Sequence, residues 1–131
     1  MLNSHQHHAP ISELIGMKLI TVEEGKTTFE LEVKKEFFNS IGVVQGGLIS
    51  IIADAAMGVA CGTLLDEEYR FYTIEFKINF FKPVKEGKLI AYGKVVNKGK
   101  TVVYTEAEVY NSKSQLIAKA VGSCLVFKKN S

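Results

Sequence analysis

The chain has 131 residues, which is about the length of one domain. Hydrophobic residues make up 47% of it and charged residues 23%, the composition of a globular protein with an apolar core. The net charge is only +2 and the lysines are scattered among acidic residues, which argues against a nucleic-acid partner. The apolar stretch 48–65 is interrupted by Ser50, Asp54 and glycines, which argues against a membrane span.

The N-terminal segment 1–9 is predicted to be a disordered tail, and residues 10–128 to form a single domain. All three histidines of the chain are in this tail: His5, His7 and His8. A domain without histidine cannot use Ser-His-Asp or Cys-His catalysis, and it lacks a principal zinc ligand. We therefore expect neither reaction, and no metal site.

Two cysteines, Cys61 and Cys124, lie in apolar surroundings without the spacing of metal ligands. This pattern favours buried, reduced, structural thiols. The polar N-terminus has no apolar segment typical of a signal peptide. Together these features favour a cytoplasmic protein.

The apolar and polar residues alternate in patterns that predict the elements in chain order. A short helix begins at Pro10, two short strands flank Gly25, and a loop at 39–44 leads into a long helix over about 46–65. Strands follow to the end of the chain. In the strand 71–81, the alternation predicts one apolar face, formed by Tyr72, Ile74, Phe76, Ile78 and Phe80.

Three further strands after residue 87 are joined by short turns rich in Gly, Lys, Asn and Ser. Short turns favour antiparallel pairing over crossover connections. One long helix with an antiparallel meander predicts an α+β fold. The helix is apolar nearly all round, so we expect the sheet to wrap it.

Asp54 is the one charged residue of this helix. On a helical wheel it shares a face with the small residues Gly47, Ser50, Gly58 and Cys61, which let a backbone, a partner chain or a ligand approach closely. A buried carboxylate is costly unless something satisfies or uses it. Two interpretations remain open: a structural acid paired with a lysine or a backbone group, and a catalytic base.

The residues before Asp54 favour the catalytic interpretation. Gly46 and Gly47 open the helix, where free N–H groups and the positive end of the dipole can stabilise an oxyanion. Asn39 and Gln45 add neutral amide donors just upstream. A carboxylate and an oxyanion cradle, without histidine or metal, suit the hydrolysis of an activated acyl group such as a thioester.

The spacing of Asn39, Gly42, Gly46, Gly47 and Asp54, followed by the segments TIEFKINFFKPVKEGKL and VVNKGKT, resembles a known family. It is similar to the hotdog-fold acyl-CoA thioesterases of the PaaI type, in the 4-hydroxybenzoyl-CoA thioesterase superfamily. The resemblance extends over about residues 11–127. It implies a hotdog fold, in which a curved antiparallel sheet wraps a long central helix.

The resemblance also implies an assembly and a set of roles. The protein would be a homodimer or homotetramer with its sites at the subunit interface. Gly46 N–H and Asn39 of one subunit would hold the thioester carbonyl, and Asp54 of the other would activate water or attack directly. Thr73 matches a position that helps to place the water, although the predicted alternation directs it away from the core unless a bulge intervenes. No separate cofactor is implied, because coenzyme A is part of the substrate.

Gln45 departs from the family pattern, which often has histidine before the two glycines. Glutamine can donate a hydrogen bond but cannot deliver a proton near neutral pH. This departure leaves open an alternative, a non-catalytic acyl-CoA-binding or regulatory hotdog protein. A hotdog dehydratase is disfavoured because its usual histidine has no candidate in the domain.

The turn formed by Lys98, Gly99 and Lys100 is basic and could contact the phosphates of coenzyme A. An ordinary hairpin turn with solvated lysines explains the same residues. Aromatic, short aliphatic and long aliphatic acyl groups would all suit the apolar residues of this chain.

Overall fold

The computed structural model describes residues 9–130. All but the last residue of the predicted tail, and with it the three histidines, therefore lies outside the described residues. The chain forms helices α1 (Pro10–Ile15) and α2 (Gly46–Gly62), with a short 3-10 helix at Lys35–Phe37 between them. The strands are β1 (Lys18–Glu23), β2 (Lys26–Glu32), β3 (Tyr69–Phe80), β4 (Lys88–Lys98), β5 (Val102–Asn111) and β6 (Leu116–Lys128).

The six strands form one antiparallel sheet in the order β1-β2-β4-β5-β6-β3. The last three strands follow one another as the predicted meander, while β3 returns to pair with β6 at one edge of the sheet. The sheet curves around α2, which contacts β2, β4, β5, β3 and β6. This arrangement confirms the predicted α+β fold, and β1 and β3 are the edge strands of the described sheet.

Helix α2 forms the centre of the core. Residues on several of its sides are almost completely buried: Ile49, Ile52, Ala53, Ala56, Met57 and Ala60. Two strand residues allow the close packing, because a side chain at Gly93 would collide with the carbonyl oxygen of Ala56, and Thr27 Oγ1 donates a 2.7 Å hydrogen bond to that oxygen. The predicted wrapping of an apolar helix is therefore confirmed.

The helix ends at Gly62, three residues earlier than predicted. Thr63 explains the stop, since its hydroxyl donates to the carbonyl oxygen of Ala60 at 2.7 Å and accepts from Gly25 N–H at 2.7 Å. The end of α2 is thereby tied to the turn between β1 and β2. Side chains of Thr that bond to the backbone in this way compete with further helix.

Strand β3 contains a bulge that reverses its faces. Thr73 is paired with Cys124 and Glu75 with Ser123, so Ile74 is an extra residue in the strand. Tyr72 and Ile74, predicted to face the core, are instead 53% and 49% exposed. That prediction was wrong because it assumed unbroken alternation, whereas one inserted residue moves every preceding side chain to the opposite face.

No helix within residues 9–130 is long and apolar enough to cross a membrane.

Candidate active site

Asp54 and Thr73 lie in direct contact. Thr73 Oγ1 donates a 2.8 Å hydrogen bond to Asp54 Oδ1. The bulge at Ile74 makes this contact possible, because it turns Thr73 toward α2. Asp54 is half-buried, not fully buried as its apolar neighbours suggested. Its carboxylate is thus satisfied by a hydroxyl, and no lysine within the described residues pairs with it.

Helix α2 and strand β3 lie side by side and run in opposite directions. Next to Thr73 and Asp54, Phe71 packs against Gly58, where an added Cβ would lie 3.4 Å from the ring. At the other end, the ring of Phe80 covers Gly46, where a Cβ would lie 3.0 Å away. Gly58, which lies on the small-residue face predicted by the helical wheel, and Gly46, which lies outside that face, therefore allow the strand to approach closely.

The start of α2 presents free backbone donors. The N–H groups of Leu48 and Ile49 both bond to the carbonyl oxygen of Gln45, at 2.9 and 3.3 Å. The N–H groups of Gly46 and Gly47 have no acceptor among residues 9–130. Two N–H groups at the positive end of a helix can hold a carbonyl oxygen or an oxyanion.

Gly47 leaves open space at this point. A Cβ added there would meet only Gln45 Cγ, at 3.9 Å, within the described chain. The packing of the chain therefore requires a small residue at Gly46, under the ring of Phe80, but not at Gly47. A glycine that the fold does not require is typical of a place where another group approaches the backbone.

Asn39 is held by its own loop. Asn39 Oδ1 accepts hydrogen bonds from the N–H groups of Ile41 and Val43, at 3.1 and 3.3 Å, and Asn39 N–H donates to the Val43 carbonyl at 2.8 Å. Gly42 adopts a left-handed conformation, with φ of +86°, that completes the turn. With its oxygen engaged, the Asn39 side chain offers its Nδ2 hydrogens as donors.

A cavity of about 930 Å³ lies beside the Asn39 and Gln45 side chains. Asn39 and Gln45 both line it, and the Gln45 side chain makes no capping bond to the helix. Its apolar wall comes from α1, the 3-10 segment and α2: Leu14, Ile15, Phe37, Phe38, Leu48 and Ile51. The structure thus brings Asn39, Gln45 and the start of α2 together beside one cavity.

Asp54 is separate from this group within one chain. It lies about two turns, or about 12 Å of helix rise, beyond Gly46. That distance exceeds the reach of an aspartate side chain. A single subunit therefore does not bring the carboxylate and the free N–H groups to the same reacting atom.

The Lys98–Lys100 turn lies at the opposite end of the helix. It connects β4 and β5, closed by a 2.9 Å hydrogen bond from Gly99 N–H to the Val102 carbonyl. The charge of Lys98 acts on Cys61, which lies about 22 Å of helix rise beyond Gly46. Both lysines are exposed, and one chain does not place them beside the cavity.

The two cysteines are buried and not joined in a disulfide, as predicted. The sequence pattern indicated only a structural role for these thiols and gave no indication of their position. Cys124 on β6 is paired directly opposite Thr73 on β3. Cys61, its neighbour in the buried cluster, lies on the same face of α2 as Asp54. A hydrogen bond with Cys124, together with burial, raises the pKa of the Cys61 thiol. Only the pairing of β3 with β6 brings these groups together, so no local pattern could have indicated it.

No three His, Cys, Asp or Glu side chains within the described part of the chain are close enough together to hold a metal ion.

The chain is similar in sequence to a known protein family and to several known proteins. A profile of the thioesterase superfamily matches residues 41–118, which include Asp54 and Thr73. A protein of Saccharolobus solfataricus that carries the name of an esterase is 36% identical over 90% of this chain and 84% of its own length. The 1,4-dihydroxy-2-naphthoyl-CoA hydrolase of Listeria monocytogenes is 22% identical over 91% of this chain and 97% of its own.

Solved structures have the same fold. A Pseudomonas aeruginosa protein, 27% identical, superimposes with a TM-score of 0.90 over 95% of this chain and 98% of its own. The PaaI protein from the phenylacetic acid degradation operon of Escherichia coli, 19% identical, has a TM-score of 0.87 over 98% and 90%. The hotdog architecture expected from the sequence is confirmed by these superpositions.

Proposed function

Since the chain belongs to the thioesterase superfamily, and is therefore a thioester hydrolase, we propose that it hydrolyses an acyl- or aryl-CoA to the free acid and coenzyme A. The observation that carries the proposal is the hydrogen bond from Thr73 on β3 to Asp54 on α2, the helix whose start presents two N–H groups without an acceptor among residues 9–130. These are a base and an oxyanion cradle, the two components that thioester hydrolysis needs.

In the proposed mechanism the thioester carbonyl binds at the start of α2. Gly46 N–H donates to its oxygen, Asn39 Nδ2 donates from the side, and the open surface of Gly47 admits the substrate. Both donors are held in advance, because the loop of Asn39 is closed by its own hydrogen bonds and α2 is packed in the core. Preorganised donors stabilise the negative charge that develops on this oxygen in the transition state.

Asp54 acts as the base or the nucleophile. Thr73 occupies Oδ1, so Oδ2 is directed to the water or to the carbonyl carbon. In the base route, Asp54 accepts a proton from water as the oxygen attacks, and the tetrahedral oxyanion then collapses with cleavage of the C–S bond. Coenzyme A leaves as a thiolate, a stable leaving group that needs no acid. Gln45 therefore suffices at this position as a hydrogen-bond donor.

The separation of Gly46 and Asp54 within one chain supports a homodimer with shared sites. The outer edge of β3 is unpaired within residues 9–130, and Tyr69, Tyr72 and Ile74 are exposed along it. Antiparallel pairing of β3 with its copy would place two α2 helices side by side in opposite directions. The N-terminus of one helix would then approach Asp54 of the other. Two such dimers would form the tetramer.

The same antiparallel arrangement would bring the basic turn of one subunit toward the helix start of its partner. Lys98, Gly99 and Lys100 would then meet the phosphates of coenzyme A, while the acyl group enters the cavity of about 930 Å³. Its aliphatic and aromatic wall accommodates an aryl or medium-length aliphatic acyl group. The buried free thiols favour action in the cytoplasm.

An alternative is a protein that binds acyl-CoA without hydrolysing it, which Gln45 favours. Thiol release across a panel of aryl-, short-chain and medium-chain acyl-CoA substrates separates the two functions. We expect turnover that is lost on Asp54→Asn. Tight binding of acyl-CoA by calorimetry, with no thiol released above the uncatalysed rate, would establish the alternative.

A further inference from the structure

The cavity beside the start of α2 is lined by charged as well as apolar side chains. Its charged lining residues in the described part of the chain are Lys34 and Glu36, and both are exposed to solvent. Neither forms an ion pair with another side chain among residues 9–130. In a cavity with an apolar wall, a few polar groups determine which ligand binds and in which orientation.

The Lys34 side chain connects two walls of this cavity. Its backbone directly precedes the 3-10 segment, and its Nζ lies 3.7 Å from the position of a Cβ added to Gly16, which caps the end of α1. The backbone is held on both sides of Lys34. Val33 N–H donates to the Gly87 carbonyl at 2.9 Å. Phe37 N–H donates to the Lys34 carbonyl at 3.0 Å, so the ammonium extends from an anchored backbone to α1.

The 3-10 segment separates the Lys34 cation from the amide donors of the site. Lys34 precedes this segment and Asn39 follows it, and both residues line the same cavity. A rise of about 2 Å per residue over roughly five residues gives a separation on the order of 10 Å along the chain. Phe37 and Phe38, which lie between them in sequence, line the cavity with apolar surface. An acyl group whose carbonyl is held at Asn39 therefore has an apolar surface beside it and a cation beyond it.

We propose that Lys34 selects acyl groups that carry a carboxylate at the end remote from the thioester, so that the substrate class is an ω-carboxyacyl-CoA. The inference rests on the proposed function, which directs the acyl group into this cavity. A remote carboxylate accepts a charge-assisted hydrogen bond from the ammonium, whereas a terminal methyl group gains none. Glu36 has the opposite charge. The position of the Lys34 ammonium against α1 favours Lys34 over Glu36 as the charge that the acyl group meets.

The size of this selectivity follows from the exposure of Lys34. Water and salt screen the attraction between an exposed ammonium and a carboxylate. We therefore expect about a three- to tenfold effect, between that of an exposed ion pair and that of a buried hydrogen bond to a charged group. The effect should decrease as the salt concentration is raised.

The kinetic test compares hexanoyl-CoA with adipoyl-CoA, which has the same chain length and ends in a carboxylate. The measured quantity is the ratio of kcat/KM for adipoyl-CoA to kcat/KM for hexanoyl-CoA. Lys34→Met removes the charge and keeps an apolar side chain, so the ratio should fall by about three- to tenfold, mainly through KM. Lys34→Arg keeps a cation and should retain most of the ratio. The melting temperature of each variant shows whether its fold is intact.

Two neighbouring residues provide controls. Lys35→Met removes the same charge from an exposed residue that does not line the cavity, and it should leave the ratio unchanged. Glu36→Gln removes the opposing charge from the cavity and should raise the ratio. Raising the salt concentration should lower the ratio in the wild type more than in Lys34→Met. An unchanged ratio in Lys34→Met, or an equal fall in Lys35→Met, would overturn the proposal.

The same substrates distinguish the acyl carboxylate from the phosphates of coenzyme A as the anion that Lys34 meets. Both substrates contain coenzyme A, so a Lys34 that meets a phosphate would weaken both equally on Lys34→Met and leave their ratio unchanged. That result would overturn the assignment to the acyl carboxylate. A preference for 6-aminohexanoyl-CoA over hexanoyl-CoA that is lost in Glu36→Gln would assign the selectivity to Glu36 and would also overturn it.

A binding measurement separates this inference from the proposed hydrolysis. Calorimetry with non-hydrolysable thioether analogues of hexanoyl-CoA and adipoyl-CoA gives the ratio of their Kd values in the wild type and in Lys34→Met. Selective binding of the carboxylate analogue that is lost in Lys34→Met, without turnover of either thioester, would support the role of Lys34 and contradict the hydrolysis. Turnover of both thioesters, with ratios that Lys34→Met does not change, would contradict the role of Lys34 and leave the hydrolysis standing.

Discussion

Thr73 donates a 2.8 Å hydrogen bond to Asp54 across 19 residues of sequence, and it does so because Ile74 is an extra residue in its strand. Without this bulge, Thr73 would point to the outer face of the sheet and Asp54 would lose its partner. The position of one strand residue therefore determines the surroundings of the only charged side chain on α2.

The first prediction concerns Asp54 itself. Asp54→Asn keeps the shape and removes the base, so turnover should fall by about 10²–10⁴-fold, the range for loss of a general base. The fold should remain, because an amide can still accept the Thr73 hydrogen bond. Thiol release and circular dichroism check the two outcomes. Glu67→Gln, which neutralises an exposed carboxylate outside the site, is the matched control. Near-normal turnover in Asp54→Asn would show that the Asp54 carboxylate has only a structural role.

Thr73 should affect the rate more than binding. Thr73→Val removes the hydroxyl at similar volume, leaving Asp54 free to rotate, and kcat should fall by about tenfold for the lost hydrogen bond. Thr73→Ser keeps the hydroxyl and should retain most of the rate. Steady-state kinetics with both variants measure kcat and KM separately. A loss of kcat in Thr73→Ser with a normal rate in Thr73→Val would show that the methyl group, and not the hydroxyl, is what matters.

The two glycines at the start of α2 should respond differently. Gly46→Ala places a Cβ 3.0 Å from the ring of Phe80, so it should lower both the melting temperature and turnover. Gly47→Ala meets open space in the chain and should leave stability unchanged. If substrate or partner approaches Gly47, its alanine variant still loses activity. Differential scanning calorimetry paired with kinetics distinguishes the two effects, and full activity in Gly47→Ala would remove this glycine from the site.

Variants of Gln45 test whether the hydrolysis needs a proton donor at this position. Gln45→Ala should weaken substrate binding or carbonyl polarisation by about 1–3 kcal/mol, as for a lost buried hydrogen bond. Gln45→His should restore or raise the rate, with a new pH dependence near the imidazole pKa of about 6.5. A pH series of kcat/KM measures both. Hydrolysis that begins only in Gln45→His would favour the acyl-CoA-binding alternative for the natural chain.

Shared sites predict complementation between inactive variants. Asp54→Asn and Asn39→Ala should each be nearly inactive as homodimers, since every site lacks one component. After subunit exchange in an equal mixture, each heterodimer contains one complete site, so roughly a quarter of the wild-type activity should return. Light scattering confirms the dimer in parallel. No recovery despite proven exchange, or a stable monomer at micromolar concentration, would contradict a site built from two chains.

Much of the structure of this protein can be predicted from its sequence pattern. The apolar helix, the antiparallel strands and the small-residue face around Asp54 were all predicted, because helix and strand periodicities depend on the local order of apolar residues. The free N–H groups at Gly46 and Gly47 were also predictable, since any helix start leaves donors without an intrahelical partner. The spacing from Asn39 to Asp54 by itself indicated the family.

Other features depend on contacts between distant parts of the chain. The bulge at Ile74 cannot be recognised from the alternation of apolar and polar residues. Apolar residues precede and follow it, so the inserted residue does not visibly interrupt the pattern. The pairing of Thr73 with Cys124 arises from the return of β3 to the far edge of the sheet, which is a property of topology. Local sequence determined which groups this protein possesses, and tertiary structure decided which of them meet, because a hydrogen bond across a sheet depends on register and not on proximity along the chain.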